Sequence, residues 1–151
     1  MECKRFDVIV LGAGPAGFAA AVGAAQQGKS VLLIDQNSGP GGVGVFSGCP
    51  VFSGIDELNG NSHNNVVAEL INELTELQAA KIVGSTLTST ETAVQLAMTR
   101  ILKKHAVEML FYATLYDVET QEKKIKSVQV FCAGTKMKFT ANIFVDASGD
   151  A

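Results

Sequence analysis

The stretch "DVIVLGAGPAGFAAAVGAA", Asp7 to Ala25, carries one charge, at its first residue, and crowds three glycines and a proline into Gly12–Gly17. A membrane helix needs about twenty apolar residues in a row, and this run nearly has the length. Pro15 beside Gly12, Gly14 and Gly17 makes a poor helix interior, so a span is disfavoured. A secretory signal wants a basic start, an apolar run and a small-residue cleavage site. Lys4, Arg5 and the alanines imitate that pattern, but Asp7 and the Gly/Pro cluster break it. A strand, a tight turn and a helix use every residue instead. Phe6–Leu11 is a β-branched-rich run suited to a strand buried on both faces. Pro15 suits a first helical position, where its missing N–H costs nothing. Gly28 suits the left-handed residue that closes the helix near Gln27.

If a diphosphate sits over this turn, the glycines of G-x-G-x-x-G divide the work. Gly12 permits the bend, Gly14 lets the backbone approach the phosphates, and Gly17 lets helix and strand pack closely. The phosphates then meet free N–H groups and the positive end of the helix dipole. Gly23, inside the helix, costs about 1 kcal/mol against alanine, which suggests that close packing requires it. Ser30–Asp35 reads as a second buried strand ending in a carboxylate, about twenty residues past the first glycine as dinucleotide sites require. Asp35 is expected to accept hydrogen bonds from both hydroxyls of an adenosine ribose and to repel a 2′-phosphate.

Composition narrows the partners. The chain has 151 residues, a net charge of -3 and no Lys/Arg-rich block, which argues against nucleic acid or an anionic membrane surface. Lys123, Lys124 and Lys126 read as a solvated turn. Cys3, Cys49 and Cys132 are odd in number and form no C-x-x-C pair, so neither a disulfide framework nor a zinc site is expected, and a reducing cytoplasm is the simplest location.

FAD and NAD share an ADP half, so the first motifs do not separate them. The segment "QNSGPGGVGVFSGCPVFSG" after Asp35 is glycine-dense and shows no helical period, whereas an NAD domain would move quickly to its next helix. A long ordered loop there would pass beside whatever extends from the diphosphate, and Gly41-Gly42 would permit close approach.

On "VIVLGAGPAGFAAAVGAAQQGKSVLLID", the following "GPGG" and the final "IFVDASGDA", the sequence resembles the FAD-dependent oxidoreductases with a glutathione-reductase-like flavin domain. The resemblance implies FAD as cofactor, Ser148 and Gly149 near the flavin nucleotide, and Gly42 and Val43 near its ribityl or isoalloxazine side. The expected cofactor-binding set is therefore Gly12, Ala13, Gly14, Pro15, Ala16 and Gly17, then Asp35, Gln36, Gly41, Gly42 and Val43, and last Ala147, Ser148 and Gly149. It also implies an N-terminal portion of a longer protein: residues 1–151 as an incomplete FAD-binding domain, without the later flavin-binding segment or the domain for a small-molecule substrate. A fragment, a truncated gene product and a subunit needing a second polypeptide all remain open. So do an NAD-binding dehydrogenase domain and a non-catalytic remnant.

Between the motifs, Val66, Val67, Leu70, Ile71, Leu74 and Leu77 fall at helical spacing within about 64–80. A second helix is predicted from Thr88, on the capping-box pattern Thr88-x-x-Glu91, to about Lys104. Val107–Tyr112 is the next strand. Alternating runs near 114–119, 124–132 and 136–140 read as an antiparallel meander that returns the chain to a strand at 142–146. The fold class expected is α/β: a Rossmann-like, doubly wound parallel sheet in the spatial order 107–112, 31–35, 6–11, 142–146, with a three-stranded meander as crossover. Such a meander is also what the resembling family shows.

No catalytic residue is assigned. In flavin-dependent disulfide reductases a cysteine pair follows the double glycine, whereas here only Cys49 stands in that stretch, and one thiol cannot form the internal disulfide. Cys49 is expected to be a small buried side chain near the flavin. His105 is expected to cap a helix, and His63 lies in a polar loop that could border substrate.

Overall fold

The computed structural model describes residues 3–55 and 65–149. Among them, β1 (Cys3–Leu11), β2 (Val31–Ile34) and β6 (Glu108–Leu110) are parallel neighbours, and β9 (Thr135–Asp146) runs parallel to β1 on its other side. The strands β7 (Ala113–Gln121) and β8 (Lys124–Cys132) complete a six-stranded sheet in the order β6-β2-β1-β9-β8-β7. The four parallel strands thus take the expected spatial order.

Two apolar layers hold this sheet, and alternation decides which residue enters which. Val31 and Leu33 of β2 face one layer, and Leu32 and Ile34 the other. The first layer lies under the helices: Phe18, Ala21 and Val22 of α1 (Pro15–Gln26) and Val94, Ala97, Met98, Ile101 and Leu102 of α4 (Glu91–Lys104). The second joins Phe6, Ile9, Leu32 and Ile34 to Val128, Val130 and Phe139 of the meander. In β1 the alternation is broken by a bulge, where the amides of Asp7 and Val8 both donate to the Ser30 carbonyl at 3.0 and 3.1 Å. That extra residue puts Phe6 and Ile9 in one layer while Val8 and Val10 enter the other. Asp7 fixes the bulge, its carboxylate accepting from the Ser30 amide and hydroxyl at 2.9 and 2.8 Å.

The meander differs from expectation in one respect. Its third strand and the final sheet strand are a single strand, β9, which pairs with β8 through Thr135–Thr140 and with β1 through Lys138–Asp146. No glycine or proline interrupts residues 135–146, so nothing ends the strand between the two pairings.

Residues 36–54, expected as loop, contain the short helix α2 (Val43–Phe46) and β3 (Val51–Ser53). The strand β3 joins β5 (Thr86–Thr88) and β4 (Lys81–Val83) in a separate antiparallel sheet, order β3-β5-β4. Three-residue strands are too short to show alternation, which is why the sequence hid them. The sheet also corrects the helix cap. Thr88 is used in the ladder opposite Val51 and Lys81. Thr90 caps α4 instead, its hydroxyl accepting from the Ala93 amide at 3.3 Å.

The helix α3 (Asn65–Glu76) buries Leu70 and Leu74 as its spacing predicts. His105 occupies the C-cap position of α4, but its ring reaches α3: Nε2 lies 2.9 Å from Oε2 of Glu69, whose Oε1 accepts from Lys104 at 2.6 Å. Burial pushes the Glu69 carboxyl up, yet the hydrogen bonds from Lys104 and His105 together hold it below the usual glutamate range. Gly23 also departs from expectation, since a Cβ built there meets nothing within 4 Å. Close packing does not require it.

Three expectations follow. Gly23→Ala should raise stability by about 1 kcal/mol in urea unfolding, because only backbone entropy changes. Gly17→Ala should lower it by about 3 kcal/mol, because the new carbon collides with the Gly12 carbonyl. For Glu69 the lowered carboxyl stabilises the fold above its unfolded value and loses that contribution as pH falls through the folded value. The stability difference between wild type and Glu69→Gln, about 1 kcal/mol near neutrality, should therefore vanish in melts carried progressively below pH about 4.

Candidate functional site

At the carboxyl ends of β1, β2 and β9 the chain forms a cleft of about 460 Å³. Its first wall is the turn after Leu11. The Gly12 amide donates to the Ile34 carbonyl and the Ala147 amide to the Leu11 carbonyl, both at 2.8 Å, so three strand ends are tied into one rim. Gly12 has φ +96°, and a Cβ there would strike the Ala147 carbonyl and lie 2.8 Å from the Ser148 nitrogen. Only glycine meets both the conformation and the crowding.

Gly14 is different. Its backbone is extended, at φ -66° and ψ -178°, and a Cβ would find only the Gly42 Cα at 3.8 Å. The space beside Gly14 belongs to the cleft. The second glycine loop is anchored on the first: the Gly41 amide donates to the Ala13 carbonyl at 2.8 Å, and a Cβ on Gly42, at φ +52°, would come within 2.7 Å of the Gly14 Cα. Gly41-Gly42 thus permits contact between two protein loops before any ligand is considered.

The amides of Gly14, Ala16 and Gly17 find no acceptor among the described residues, and no side chain caps the helix. They stand at the positive end of a 12-residue helix. That combination, uncapped amides beside a space that a Cβ would fill, fits a diphosphate.

Asp35 closes the rim. Its Oδ2 accepts from the Ala13 amide at 2.5 Å, and its Oδ1 accepts from the Asn37 amide at 2.8 Å and from Asn37 Nδ2 at 2.9 Å. An ionised carboxylate offers about four acceptor positions, so three are filled by protein. One place remains, on Oδ2. The backbone of this corner is tied to the β6–β7 turn by Asp35 N to Leu110 O, Ala113 N to Asp35 O and Tyr112 N to Asn37 O, each 3.0 Å. Tyr112, at φ +54°, makes that turn rather than continuing the strand.

Of the expected set, Gly12, Gly14, Pro15, Ala16, Asp35, Gln36, Gly42, Val43, Ala147, Ser148 and Gly149 line the cleft. Ala13, Gly17 and Gly41 lie buried behind it. Sequence reasoning missed Asn37, Thr114, Leu115 and Asp146, which also line it. Asp146 had a local signal: the Ser148 amide and hydroxyl donate to its Oδ1 at 3.0 and 2.7 Å and hold its carboxyl below the usual range. Thr114 and Leu115 had none, because they arrive through the sheet order. Cys49 is exposed, which corrects the expectation of a buried side chain. His63 lies outside the described residues. No helix among the described residues is long and apolar enough to cross a membrane.

A family model described as FAD dependent oxidoreductase matches residues 7–151. The chain is similar to the dihydrolipoyl dehydrogenase of Bacillus subtilis, 51% identical over 51 residues, which is 33% of this chain and 11% of that protein. It is similar to the thioredoxin reductase of Ureaplasma parvum at 34% over 60 residues, 40% of this chain and 19% of that one. In fold it is similar to a flavoprotein/dehydrogenase from Cytophaga hutchinsonii, with TM-score 0.72 and 15% identity over 96% of this chain and 39% of that one. It is likewise similar to the myxobacterial chondrochloren halogenase, a variant of FAD-dependent halogenases, with TM-score 0.70 and 18% identity over 96% of this chain and 37% of that one. The chain thus spans well under half the length of each of these proteins.

The hydrogen bonds at Asp35 make it a structural clasp as well as a rim residue. Asp35→Ala should cost about 2 kcal/mol in urea unfolding without any nucleotide, because the Ala13 amide loses a charged acceptor.

Proposed function

This chain belongs to the FAD dependent oxidoreductase family, and from that premise we propose that it holds the ADP half of FAD in the cleft at the first turn, as the flavin-binding unit of an oxidoreductase. FAD is the cofactor of the family, and when bound it supplies the redox chemistry of the flavin ring. The chain's own residues bind and orient it. The amides of Gly14 and Ala16, which line the cleft, take the diphosphate, with the α1 dipole favouring its negative charge. Asp35 takes the ribose end, and its charge disfavours a 2′-phosphate. Gly42 and Val43 border the direction in which the flavin extends, and Ala147, Ser148 and Gly149 form the opposite lip.

The observation that carries this reading is the room beside Gly14, where an added Cβ would meet only the Gly42 Cα at 3.8 Å, bounded by uncapped amides. An internal dithiol relay is not part of it, since Cys49 stands alone and Cys3 and Cys132 lie on β1 and β8. The unit works with further polypeptide that supplies the rest of the flavin environment and the small-molecule substrate site. Two facts support that. The solved relatives are much longer, and β8 pairs with β9 only as far as Thr140, leaving the outer edge of Ala141–Asp146 without a strand among the described residues. Ile143, on that edge, is 57% exposed.

Gly14→Val separates binding from folding. The variant should remain folded, because beyond the two chain neighbours no protein atom lies closer than 3.8 Å to the first added carbon, and should lose flavin as read by the visible spectrum of the purified protein. A yellow, flavin-loaded Gly14→Val protein would overturn the assignment.

A further inference from the structure

The corner beyond Asp35 carries a consequence for how the ribose is read, and it rests on the placement of the ADP half proposed above. A ribose presents two hydroxyl donors, yet Asp35 has one acceptor position left once Ala13 and Asn37 are bound. The second donor needs another acceptor at the same rim.

Asn37 is placed to be that acceptor. Its side-chain NH₂ must face Asp35, because an ionised carboxylate only accepts hydrogen bonds, and this excludes the flipped amide. The amide carbonyl therefore points away from Asp35, and no donor among the described residues reaches it. Asn37 lines the cleft beside Asp35. Its backbone is fixed on both sides, the amide donating to Asp35 at 2.8 Å and the carbonyl accepting from Tyr112 at 3.0 Å. The side chain is thus an oriented acceptor rather than a free surface group. We propose that Asp35 and Asn37 divide the ribose diol, one hydroxyl to the carboxylate Oδ2 and the other to the Asn37 side-chain carbonyl.

The test uses ADP, 2′-deoxy-ADP and 3′-deoxy-ADP as probes, with affinities measured by titration calorimetry on the full 151-residue chain. Each deoxy analogue should bind wild type roughly tenfold more weakly than ADP, since each leaves one oriented acceptor unpaired. In Asn37→Ala one of the two penalties should disappear while the other persists. A residue that merely supports the turn would not produce that selective loss. Asn37→Leu serves if the alanine variant does not fold, with the same pattern expected. Wild type penalised by only one analogue, or a variant that keeps both penalties or loses both, overturns the division. Failure of wild type to bind ADP at all would instead remove the placement of the ADP half, and this inference with it.

Discussion

Close approach of one backbone to another at the first turn is the constraint on which this protein depends. Gly17 lies against the Gly12 carbonyl, Gly12 against Ala147 and Ser148, and Gly42 against Gly14. A single Cβ at Gly12, Gly17 or Gly42 would prise apart the helix, the end of β9 or the second glycine loop. The amides at the start of α1 are left without a side-chain acceptor because the N-cap residue, Gly14, has no side chain to offer. Packing and binding are here one feature seen from its two sides.

The sheet behind the turn is stabilised on both faces by different means. Helices cover one face with branched and small side chains, and the meander covers the other through Val128, Val130 and Phe139. The bulge at Asp7 brings Phe6 and Ile9 into the same layer, since without it they would point to opposite sides. Strand β9 performs a similar double duty, ending the meander at its start and flanking β1 at its end. The site lies where these arrangements meet.

Much of this was legible in the residues. The glycine spacing, Pro15 and the carboxylate of Asp35 located the turn, the helix and the second strand, because each residue type there answers a local backbone requirement. The stripe of α3 and the order of the parallel strands were equally readable. The small antiparallel sheet was not, because three residues cannot display a period. Nor was the cap at Thr90: two threonines offered the same chemistry, and the ladder claimed Thr88. Gly23 shows the opposite error, a glycine whose freedom nothing in the packing uses.

By itself, the sequence determined that this chain makes a strand–turn–helix with room for a dinucleotide, since φ preferences, a missing Cβ and a missing N–H act within a few residues. Only the tertiary structure decided how the site's acceptors are spent. Asp35 binds Ala13 from another strand end and Asn37 from its own turn, while the β6–β7 turn braces both. Hydrogen-bond saturation depends on what folds alongside, and no spacing along the chain records it.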